Sequence, residues 1–62
     1  MKKRFVWEYK NWKIRQLINL MYEGKISEED YKVKFYKISD AEIFCERGLL
    51  SIDEAMKIIA EA

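Results

Sequence analysis

One short pattern recurs three times at a spacing of twelve residues and fixes most of what this 62-residue chain can fold into. The copies read Ile26-Ser27-Glu28-Glu29-Asp30-Tyr31, Ile38-Ser39-Asp40-Ala41-Glu42-Ile43 and Leu50-Ser51-Ile52-Asp53-Glu54-Ala55. Each is an apolar residue, then a serine, then an acid three positions further on. That order suits the start of a helix. The serine oxygen accepts from an N–H that has no partner inside the helix, the acid accepts from the serine's own N–H, and the preceding apolar residue packs onto the first turn. The repeat predicts several short helices. It carries architecture and no chemistry of its own.

With no proline in the chain, the two glycines are the strongest breakers. Gly24 and Gly48 stand shortly before Ser27 and Ser51, where a glycine would end one helix just ahead of the next. The boundaries predict helices over residues 5–23, 27–47 and 51–61. Around Ser39 no glycine is present, so a break, a kink and a straight passage all stay open there. The fold class expected is all-α: one domain, residues 1–62, built as a compact bundle of three short helices, or four if Ser39 breaks one, joined by tight Gly-containing turns.

Periodicity assigns faces. Trp7, Ile14, Leu17, Ile18 and Met21 share one stripe and form the natural core face of the first helix. Phe5, Tyr9 and Trp12 form a second stripe. In the middle segment Tyr31, Phe35, Ile38 and Cys45 share a face with Ala41 nearby, while Val33, Tyr36, Ile43 and Phe44 lie on another, as if both neighbours covered it. Ile52, Ala55, Met56 and Ile59 make the last helix amphipathic. The expected core is Ile14, Leu17, Ile18, Met21, Phe35, Ile38, Ile52, Met56 and Ile59. A competing α+β reading pairs Tyr31-Lys32-Val33-Lys34-Phe35, which alternates with period two, with Phe5-Val6-Trp7-Glu8-Tyr9. The capping serine just before Tyr31 favours helix.

Composition narrows the function classes. Histidine is absent and Cys45 is the only cysteine, so the usual zinc sites and His-assisted nucleophiles have no residues to be made from. No glycine-rich phosphate loop or dinucleotide fingerprint occurs. The acids Glu28, Glu29 and Asp30 suit the positive end of a helix dipole rather than a metal. These absences point to a non-enzyme with no cofactor, no metal and no small-molecule substrate. A lone cysteine, the lack of any apolar run long enough for a bilayer and the lack of an h-region fit a cytoplasmic protein.

The net charge of +1 hides an asymmetry: residues 1–16 carry +5 and residues 17–62 carry −4. The stretch Leu17 to Tyr31, ending Met21-Tyr22-Glu23-Gly24-Lys25-Ile26-Ser27-Glu28-Glu29-Asp30-Tyr31, resembles the core of the short C-terminal helical-hairpin family called SHOCT. There a leucine-rich helix is followed by glycine, a polar residue, isoleucine, a hydroxyl residue, acids and an aromatic. This chain differs in carrying a second copy of the turn downstream. Small phage tail-cluster proteins of the XkdX type look similar, since they string together the same glycine-then-capped-helix units. Both resemblances imply a helical adaptor that binds protein and catalyses nothing.

Two binding classes follow. A protein-interaction module, engaging a larger partner or a second copy as an adaptor, regulator or phage or viral accessory protein, would use Phe5, Tyr9 and Trp12, because aromatic side chains are common interface anchors. Nucleic acid is the alternative, with Lys2, Lys3, Arg4, Lys10, Lys13 and Arg15 on phosphates and the neighbouring aromatics stacking on bases. The segment after Ser51 offers no Arg, Asn or Gln for base edges, so it is a poor groove reader. A membrane surface is the least favoured partner, since the basic segment lacks a clean division into polar and apolar sides.

Overall fold

The computed structural model describes residues 2–62, and of Lys2 and Lys3 the backbone alone. Three helices follow in order: α1 over Lys2–Tyr22, α2 over Glu28–Glu46 and α3 over Ile52–Glu61. Each packs against the other two. The Lys10–Glu42 and Lys34–Ala62 contacts show that α2 runs antiparallel to both neighbours. The long axis, 35 Å, is close to the length of α1, whose 21 residues at about 1.5 Å each span roughly 31 Å. No strand occurs among the described residues, so the α+β alternative is overturned: Phe5–Tyr9 lies in α1 and Tyr31–Phe35 in α2.

The two turns share one geometry. At the end of α1 the Gly24 N–H donates to the Met21 carbonyl at 3.0 Å and the Lys25 N–H to the Leu20 carbonyl at 2.9 Å. After α2, Gly48 donates to Cys45 at 3.1 Å and Leu49 to Phe44 at 2.8 Å. These are Schellman closures, which need a left-handed residue; Gly24 has φ 75° and Gly48 φ 81°. Three residues later a serine opens the next helix. Ser27 Oγ accepts from the Asp30 N–H at 3.0 Å. Ser51 forms the full reciprocal box, accepting from the Glu54 N–H at 3.1 Å while its own N–H donates to Glu54 Oε1 at 3.2 Å. At Ser39 the chain runs straight through: α2 is unbroken and no fourth helix forms.

The buried core is Val6, Leu17, Ile38, Ala41, Cys45, Ala55 and Ile59. Leu17, Ile38 and Ile59 were expected there, and Ile14, Ile52 and Met56 are half-buried against it. Ile18, Met21 and Phe35 are half-buried but lie outside the cluster, and Val6, Ala41, Cys45 and Ala55 take the central places instead. Trp7 is overturned as a core residue, at 52% exposed. The reason is an axis of burial on α1 that the apolar pattern conceals. Val6, Lys10, Lys13, Leu17 and Leu20 recur at helical spacing, so two core-facing positions are lysines. Their aliphatic stems line the packed side while the ammonium groups reach polar partners at its edges.

Candidate interaction surface

The second stripe of α1 does not act as a unit. Tyr9 is half-buried and packs against the core. Trp12 is exposed and stacks on it, with ring centroids 5.5 Å apart and planes 15° from parallel. Phe5, one turn before, is 65% exposed. Tyr9 therefore anchors Trp12 on the surface, while Phe5 stands exposed apart from that stack.

The basic residues of α1 are scattered in role as well as in direction. Lys10 Nζ lies 3.2 Å from Glu42 Oε1, with side chains only 18% and 13% exposed, and stands 5.9 Å from the centre of the Trp7 ring. Lys13 Nζ donates to the Ala60 carbonyl at 3.3 Å. Lys34 of α2 donates to the Ala62 carbonyl at 2.8 Å. The last carbonyls of α3 have no helical partner and sit at the negative end of its dipole, so two lysines from two other helices complete them. Arg4 pairs with Glu8 at 3.4 Å on the surface, and Arg15 is exposed. The side chains of Lys2 and Lys3 lie outside the described residues. Among the four described cations of the basic segment, Lys10 and Lys13 are engaged within the bundle and Arg4 and Arg15 are on the surface.

Sequence periodicity placed Val33, Tyr36, Ile43 and Phe44 together but supposed them covered. They are not: Val33 is 60% and Tyr36 65% exposed, and Ile43 and Phe44 are exposed as well. A three-helix bundle gives its middle helix one inward side, filled here by Ile38, Ala41 and Cys45, and leaves the opposite side bare. Leu49, in the turn after α2, is exposed beside the end of this stripe. The signal was present as the two-sided apolarity of the segment.

The recesses among the described residues are of two kinds. The larger kind, such as one of about 680 Å³ lined by Trp7, Glu8, Asn11, Ile14 and Arg15, is an open groove on α1. A recess of about 210 Å³, lined by Arg4, Val6, Trp7, Glu42, Cys45 and Glu46, falls below the roughly 300–1,000 Å³ usual for ligand pockets. Among the described residues no group of three or more Cys, Asp or Glu could hold a metal ion, and no helix is long and apolar enough to cross a membrane. No family model matches the chain, and neither a curated protein nor a solved structure shows significant similarity to it.

Proposed function

We propose that this chain is a non-catalytic protein-interaction module that docks through its exposed aromatic and aliphatic helix faces. One observation carries the reading: the large apolar side chains left outside are bulkier than those inside. Phe5, Trp7, Trp12, Tyr36 and Phe44 are exposed, while the core relies on Val6, Ala41, Cys45 and Ala55 beside three larger aliphatics. Single exposed hydrophobics are ordinary, but contiguous groups of them mark binding surfaces. An adaptor, regulator or phage accessory protein working in the cytoplasm would have this form. Nucleic acid is the weaker reading, since Lys10 and Lys13 already serve Glu42 and the end of α3.

The reading is tested by site-specific photocrosslinking in the cells that make the protein. A benzophenone side chain placed at Tyr36 or Trp12 should give discrete protein adducts, and one at exposed Lys57 of α3 should give none. Absence of adducts at Tyr36, Trp12 and Phe5, together with salt-sensitive quenching of tryptophan fluorescence by DNA or RNA, would replace this reading with the nucleic-acid one.

A further inference from the structure

The outer side of α2 is more specific than an apolar stripe. Glu29, Val33, Tyr36, Asp40, Ile43 and Arg47 follow one another at spacings of four, three, four, three and four residues. That is the seam spacing of a coiled coil. All six are exposed. Among the described residues no ion pair uses Glu29, Asp40 or Arg47, so three charges on the seam have no partner of their own. The order is also self-complementary when one copy is reversed.

We infer that the occupant of this face is a second copy of the chain, with its α2 packed antiparallel about a two-fold axis near residue 38. In that register Glu29 meets Arg47 of the second copy, Val33 meets Ile43, and the Tyr36 hydroxyl donates to the Asp40 carboxylate. The two-fold axis makes each contact twice. A parallel pairing would set Glu29 against Glu29, Asp40 against Asp40 and Arg47 against Arg47, so charge alone selects the antiparallel one. The opposed helix dipoles favour it further. The central Tyr–Asp pairs fix the register, as polar seam residues do, and weaken the association in doing so.

Size sets the strength. The seam from Glu29 to Arg47 is about 27 Å long at 1.5 Å per residue. A standard interface covers about 800 Å² per partner, a large share of a chain whose whole surface is 4727 Å². One helix face, with Lys32, Phe44 and Leu49 at its margins, supplies a smaller area, so the dimer forms and dissociates with concentration. Lys37 lies on the flank nearer α3, where it lines a recess with Ile58 and Glu61.

This inference rests on the interaction reading above and names its partner, and the test separates the two. Sedimentation equilibrium over a concentration series should show the wild-type chain passing from monomer to dimer. Glu29→Arg and Arg47→Glu each set like charges opposite one another at both ends of the seam. Each should weaken self-association by on the order of tenfold. Mixed in equal amounts they should recover it, because every end pair in the mixed dimer is again opposite in sign. Tyr36→Glu, at an exposed position, should abolish the dimer while far-UV circular dichroism shows the helices intact. A wild-type chain that stays monomeric throughout, or a mixture no tighter than its separate components, overturns the inference. Photocrosslinks from Tyr36, Trp12 and Phe5 then decide the broader reading: discrete adducts with another protein keep it, and silence at all three with salt-sensitive quenching by nucleic acid removes it.

Discussion

Ser51 and Ser39 stand in the same twelve-residue repeat, yet one opens a helix and the other lies inside one. Both follow an apolar residue that packs on the core: Leu50 is half-buried against it and Ile38 is wholly buried. Both precede an acid by three positions, Glu54 and Glu42. The difference stands three residues before the serine. Gly48 turns the chain left-handed and closes α2, so the Ser51 N–H and its oxygen are free to build a cap. The corresponding position before Ser39 is Tyr36, whose backbone continues the helix, and Glu42 reaches across to Lys10 instead of back to a serine. A capping sequence starts a helix only where something else has stopped the previous one.

The widest gap between the two sites should come from the apolar residue of each repeat. Ile38→Ala empties a fully buried place and should cost about 2–5 kcal/mol, read as a shift in the urea midpoint; Leu50→Ala, only half-buried, should cost visibly less. Equal losses would mean that the middle copy holds no special place in the core. At the turn itself Gly48→Ala meets no atom within 4 Å, so its cost is that of a left-handed backbone. It should be about 1 kcal/mol, and Ser51→Ala should cost about 1 kcal/mol through the lost cap. The smallest effect belongs to Ser39→Ala, which should stay within about 0.5 kcal/mol of wild type, on the stabilising side, because alanine suits a helix interior better. A loss at Ser39 matching that at Ser51 would show a cap at work there and a broken α2.

The same contrast explains how much could be read in advance. Glycine, serine and acid spacing act within a few residues, so the all-helical fold and the starts of α2 and α3 were legible. α1 covers Lys2–Tyr22 rather than starting at residue 5, a boundary for which residues 2–5 carry no serine or glycine signal. Its inward side was illegible for a different reason. Periodicity weighs side chains as polar or apolar, and Lys10 and Lys13 are both: stem inward, ammonium outward. Scoring them as polar rotated the apparent core face toward Trp7. The outer side of α2 was legible as apolar but not as bare, because whether a neighbour covers a face depends on the number and placement of the other helices.

The two lysines that close the end of α3 bear on motion. A helix of only ten residues ordinarily frays from its last turn, where local stability is lowest. Here Lys13 and Lys34 tie the Ala60 and Ala62 carbonyls to the middle of α1 and to α2. Opening that turn means releasing two hydrogen bonds anchored in different helices, so its amides should exchange with solvent nearer the pace of the bundle than of a loose end. The shortest helix is thereby made part of the same cooperative unit as the longest.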